Sequence, residues 1–228
     1  MSKKTVVLDA GHGGKDPGAL GNGMREKDIT LSVTLKVGKI LKSNGVNVIY
    51  TRTNDKTLSL QERVNIANRN KADIFVSIHT NAFNDSSAKG LETYSFPNSV
   101  EGKKLAQRIQ RQIINKRLYT SIRGIKTARF FVLRKTKMTS ALTEMAFITN
   151  PEDAKLLRNK QNEFAEAIAI GILNYLGITY KVKKQENKKP SSGGLYKVQV
   201  GAFSNKKNAE NLSNELKKKG YSTVIKKD

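Results

Sequence analysis

The sequence predicts an α/β fold: a sheet with helices on both faces, then a linker, then a small β-α-β unit. Three observations carry this. Short aliphatic and β-branched runs alternate with segments of helical period, capping and stop residues separate the two kinds, and composition changes abruptly after Tyr180.

Val6 to Leu8 reads as a short buried strand running into a loop that holds Gly11, Gly13, Gly14, Gly18, Gly21 and Gly23. Residues 28–45 fit both periods, but their length, the shared face of Val33, Val37, Ile40 and Leu41, and Gly45 as a stop favour a helix. Val46 to Thr51 alternates as a strand. Ser59 and Glu62 form a capping box ahead of Leu60, Val64 and Ala67, so a second helix runs to about Asn70. Asp73 to His79 is an apolar run of strand type, and Leu91 to Phe96 is another strand. A helix from about Asn98 to Leu118 turns Leu105, Ile109 and Ile113 to one side and a basic face outward. Phe130 to Leu133 and Ala141 to Ile148 read as strands. Asn150 caps and Pro151 opens the next helix, and a last one carries Phe164, Ile168, Ile172 and Leu176 before Gly177. One domain therefore spans residues 1–180.

Residues 181–194 are rich in lysine, proline, serine and glycine and form the linker. In residues 195–228, Tyr196, Val198 and Val200 alternate, Ala209, Leu212 and Leu216 line a helix, Gly220 ends it, and Tyr221 to Ile225 forms a second strand.

At 228 residues the chain supports one good-sized core and an appendage. No run is long and apolar enough for a membrane span, and only Val6 to Leu8 separate Lys3 and Lys4 from Asp9, too short for a signal peptide. The protein is therefore expected to be cytoplasmic as synthesised. With no cysteine, disulfides and thiolate metal sites are excluded, so a metal must be held by imidazole and carboxylate. A net charge of +23 predicts attraction to a polyanion, either nucleic acid or the phosphate-rich polymers of a Gram-positive wall.

In an open α/β sheet, ligands collect beyond the carboxyl ends of the strands. The two histidines, His12 and His79, both fall at such ends. Catalytic zinc takes three protein ligands and keeps a fourth position open, and two histidines with one carboxylate are a common set. Glu26 is the best third ligand because its loop returns from His12 towards the sheet; Asp16 is the runner-up, and a plain helix N-terminal charge is the competing account of Glu26. Glu144 is an anomaly within ALTEMAFI, where a buried carboxylate needs an ion-pair partner or a metal nearby. It is a lysine's partner or a general base acting on water near a metal.

LDAGHGGKDPGA with His12, REKDITL with Glu26, SIHTNA with His79 and ALTEMAFITNPEDA with Glu144 together resemble the zinc-dependent N-acetylmuramoyl-L-alanine amidases over about Lys4 to Leu176. The resemblance implies a twisted mixed or parallel sheet flanked by helices, one Zn2+ on His12, Glu26 and His79, and Glu144 as the catalytic carboxylate. The implied substrate is peptidoglycan, cut between the lactyl group of N-acetylmuramic acid and the stem peptide's L-alanine. Arg134 and Asn81 are the candidates for substrate contact, Arg134 towards the oxyanion or a stem carboxylate, with a solvated basic face as the plainer account of Arg134. Ser140 departs from the proline often found before the catalytic strand in similar sequences. No inhibitory helix is inserted between Phe83 and Leu91, so an open site is expected.

The last 34 residues, from Leu195, resemble half of a SPOR-type repeat, a module associated with peptidoglycan glycan strands. A unit this short buries too little to stand alone, which predicts that it docks on the catalytic domain or forms a homodimer with a second chain. Two other readings compete. A nucleic-acid-binding protein explains the charge but leaves Glu144 and the histidines idle and lacks an aromatic stacking platform; a non-catalytic wall-binding module requires that no metal be bound. Without a signal peptide, action on the wall awaits lysis or holin-mediated release, as in sporulation amidases and phage endolysins.

Overall fold

The computed structural model describes residues 3–118, 121–181 and 199–226. The chain divides into two compact units, Met1–Lys183 and Lys184–Asp228. The first contains β1 (Thr5–Ala10), β2 (Leu20–Gly21), β3 (Met24–Arg25), α1 (Glu26–Ser43), β4 (Asn47–Tyr50), α2 (Leu60–Arg69), β5 (Ile74–Asn81) and β6 (Leu91–Ser95). It continues with α3 (Val100–Asn115), β7 (Ile122–Thr127), α4 (Phe131–Lys135), β8 (Thr139–Phe147), α5 (Pro151–Asn159) and α6 (Gln161–Tyr175). Six strands form one sheet in the order β4-β1-β5-β8-β6-β7. All neighbours are parallel except β6 and β8, which are antiparallel, so the sheet is mixed.

Alternation along each strand sorts the core into two layers. Val6 and Leu8 of β1 with Ile74, Val76 and Ile78 of β5 join the larger cluster beneath α1, α3 and α6. Val7 and Phe75 point the other way, to a smaller cluster with Val64 and Ala67 of α2 and Val132 and Leu133 of α4. Burial of both faces is why the strands read as unbroken apolar runs. Helices thus cover both sides, and among the described residues the second side carries the short α2 and α4.

The structure corrects several local expectations. Phe130 to Leu133 is not a strand: α4 begins at Phe131 and buries Val132 and Leu133, because a four-residue apolar run satisfies either geometry. Strand β7 was not anticipated, since IRGIKT is a half-exposed edge with little apolar alternation. Strand β8 starts at Thr139 rather than Ala141, and the glycine loop contains a small β2-β3 hairpin.

In the second unit the expected helix is present as α7 (Lys206–Lys218), capped by Asn205. Residues 221–226 follow it without strand pairing among the described residues. A strand requires a hydrogen-bonded neighbour. Tyr196 and Val198, expected in the first strand, and residues 182–194 of the linker lie outside the described residues.

Candidate metal centre

Strands β1 and β5 are parallel neighbours, so their carboxyl ends deliver His12 and His79 to the same edge of the sheet. The approach is close. A Cβ on Gly11 would stand 2.2 Å from the His79 ring, so only glycine fits there. His12 itself has φ 61°, a left-handed conformation costing roughly 1–3 kcal/mol in a residue with a side chain. Two buried arginines hold this backbone. Arg63 donates to the carbonyls of Ala10 (2.6 Å) and His12 (2.7 Å), and Arg52 donates to those of Ala10 (3.0 Å), Gly11 (2.8 Å) and Lys27 (2.8 Å). Arg63 is in turn paired with the buried Asp9 at 2.8 Å.

Glu26 is the first residue of α1, where the helix dipole favours a carboxylate, and it also faces both histidines. Its Oε2 lies 3.1 Å from His12 Nε2 and its Oε1 lies 3.0 Å from His79 Nδ1. The amides of Ala19 and Thr80 donate to the same two oxygens, each at 2.9 Å, which fixes the carboxylate plane. One potential ligand atom from each of His12, Glu26 and His79 falls within 4.8 Å of the others. The rings stand edge to face with centroids 5.0 Å apart.

Asp16 does not join this trio. Its Oδ2 contacts His12 Nδ1 at 2.8 Å, on the far side of the ring, leaving Nε2 to face Glu26. A carboxylate on the outer nitrogen is the arrangement that orients a metal-binding imidazole.

Electrostatics fit a cation site. Burial opposes the charge of Glu26, yet His12 and His79 hold its carboxyl well below the ordinary range. Burial likewise opposes protonation of His79, and contact with Glu26 nonetheless pushes it up to about 9.

Glu144 is His79's register partner across β5 and β8. Its Oε2 is buried with no hydrogen-bond partner among the described residues, so the lysine ion pair is not how this carboxylate is accommodated. Desolvation, with the nearby charges of Glu26 and Glu92, pushes it up to about 7. Asn81, at the end of β5, donates to Glu92 at 3.2 Å rather than meeting the three-residue group. Arg134 is exposed on α4 with its guanidinium 5.8 Å from the Phe131 ring centroid.

Sequence reasoning missed Arg52, Arg63 and Asp9, whose burial no local pattern announces. Glu92 carried the signal that exposed Glu144, an acid inside an otherwise uncharged strand, LETYS.

Residues 6–174 match the family model described as N-acetylmuramoyl-L-alanine amidase. The chain belongs to that amidase family. Residues 192–228 of this amidase match the SPOR domain model. The sporulation-specific N-acetylmuramoyl-L-alanine amidase of Bacillus subtilis is 38% identical over 96% of this chain and 83% of its own length. The endolysin of Bacillus phage SPP1 is 42% identical over 83% of this chain and 73% of its own. Among solved structures, AmiC2 of Nostoc punctiforme aligns with a TM-score of 0.74 at 43% identity, covering 77% of this amidase and 98% of that chain. The CwlV catalytic domain from Bacillus (Paenibacillus) polymyxa gives 0.73 at 38% identity, with 77% and 99% covered.

Proposed function

We propose that this amidase hydrolyses the bond between N-acetylmuramic acid and the stem peptide's L-alanine, using Zn2+ held by His12, Glu26 and His79, with Glu144 as general base. The observation that supports it most directly is the two-histidine, one-carboxylate group in register with a carboxylate that has no protein partner for Oε2. When bound, zinc supplies Lewis acidity to a carbonyl and lowers the pKa of water towards neutrality. Glu144, pushed up to about 7, is matched to take a proton from water near neutral pH and return it to the leaving amine. Asp16 orients His12, and Arg52 and Arg63 keep the His12 backbone in place.

The SPOR-matching unit and the surplus of lysine and arginine support retention on the wall. A groove of about 740 Å3 lies at the amino ends of β1 and β5, away from the histidines; Asp73 and Glu101 in its lining pair with Lys4 and Lys104, which leaves Arg108 and Arg111 as the cations an anionic wall polymer would meet there. Digestion of purified peptidoglycan tests the reaction: free amino groups must appear without new reducing sugar ends, and a chelator must stop their release. New reducing ends without amines would replace this reading with a glycosidase.

A further inference from the structure

Strands β5, β8, β6 and β7 are consecutive in the sheet, and their registers align one row of residues. His79 stands opposite Glu144, Glu144 opposite Glu92, and Glu92 opposite Gly124, with Tyr94 opposite Lys126. Register partners on adjacent strands project to the same face. The row therefore runs from the imidazole through the proposed base to Glu92 and finishes at the β7 edge. At about 4.8 Å per strand, that edge lies roughly 10 Å from the Glu144 backbone.

Glu92 is only 2% exposed, and it accepts bonds from Arg123 Nε, from Lys126 Nζ at 2.7 Å, from the Tyr94 hydroxyl and from Asn81 Nδ2 at 3.2 Å. One cation would neutralise this carboxylate; two converge on it. Both remain open to solvent, with Arg123 40% and Lys126 38% exposed. Among the described residues no protein acceptor takes Nη1 or Nη2 of Arg123, and its guanidinium lies over the Phe147 ring at 5.1 Å. The result is a guanidinium with both Nη groups unclaimed among the described residues, steadied by an aromatic ring and a buried anion, and carrying surplus positive charge beside the reaction centre. That is the geometry that receives a carboxylate in a bidentate pair.

We propose that Arg123 and Lys126 form a subsite for a free carboxylate on the second residue of the stem peptide, with Glu92 as the positioning residue that aims both cations. This rests on the amidase reading. An extended peptide advances about 3.3 Å per residue, so a carboxylate on the residue after L-alanine falls roughly 7–10 Å from the scissile carbonyl, comparable with the roughly 10 Å between the proposed base's backbone and the β7 edge.

The test uses the full-length zinc-loaded protein and two muramoyl-tripeptides that differ only in whether the second residue's α-carboxyl is free or amidated. The wild type should favour the free acid by about tenfold or more in kcat/KM, chiefly through KM, as a charge-assisted contact implies. Arg123→Gln and Lys126→Gln, each leaving Glu92 one cation, should bring that ratio towards one, and Arg123→Lys should restore part of it. Because the ratio is read within each variant, loss of folded protein cancels. Equal cleavage of both peptides by the wild type, or a wild-type ratio in both glutamine variants, overturns the subsite alone. Cleavage of neither peptide overturns the amidase reading and the subsite with it.

Discussion

Glu144 and His79 are register partners on the adjacent parallel strands β8 and β5, on the sheet face that carries α2 and α4. The pairing brings a carboxylate that desolvation pushes up to about 7 beside one of the two imidazoles proposed to bind the metal.

Removing the carboxylate while keeping its shape isolates its role. Glu144→Gln should retain bound metal and lower kcat on purified peptidoglycan by roughly 10²–10⁴-fold, the usual worth of a positioned general base. His79→Ala should lose both metal and turnover. Metal analysis beside an amine-release assay distinguishes the two, and near-normal turnover in the glutamine variant would remove Glu144 from the mechanism.

Asp16 predicts a different signature. It reaches only the outer nitrogen of His12, so Asp16→Asn should weaken metal affinity by about 10–100-fold while turnover at saturating metal stays close to wild type. A competition titration against a chromogenic chelator reads the affinity; unchanged affinity would leave Asp16 a surface acid.

In the metal-free protein, His79 titrates at about 9 when folded against 6.5 when unfolded. A raised value means that the contact stabilises fully below pH 6.5 and that this contribution is lost as pH rises through about 9. Glu26, held low, contributes above its ordinary value of 4.5 and stays constant over that window. Urea midpoints of the chelated protein should therefore fall between pH 6.5 and 9.5, and the fall should shrink in Glu26→Gln. A fall of equal size in that variant would trace the effect to other groups.

The buried Asp9–Arg63 pair supports the strained His12. Burial works against the charge of Asp9, but Arg63 and the Ser77 and Thr51 hydroxyls hold its carboxyl below the ordinary range. Arg63→Met strands that carboxylate and should cost about 3–5 kcal/mol, whereas the double variant with Asp9→Asn should recover part of the loss. Chemical denaturation of the cycle measures it; additive losses would show that the pair does not act as a unit.

Deleting residues 181–228 should leave hydrolysis of soluble muropeptides intact and reduce co-sedimentation with purified walls. Undiminished co-sedimentation would assign wall retention to the basic surface of the first unit.

The sequence by itself determined the α/β class, the two-sided burial of VVL and DIFVSIH, the Ser59–Glu62 capping box, and the four motifs around His12, Glu26, His79 and Glu144. These are local properties: period, charge and turn chemistry are written within a dozen residues. What it left open follows from that same locality. Phe131 to Leu133 forms a helix because α2 offers a surface to bury it, and β7 is a strand only because β6 lends it a ladder. The choice between Glu26 and Asp16 turned on which nitrogen of His12 each one meets, and Arg52, Arg63, Glu92, Arg123 and Lys126 gain their roles from partners up to 54 positions away. Only the folded sheet, by setting four strands in register, decided which charges share one face.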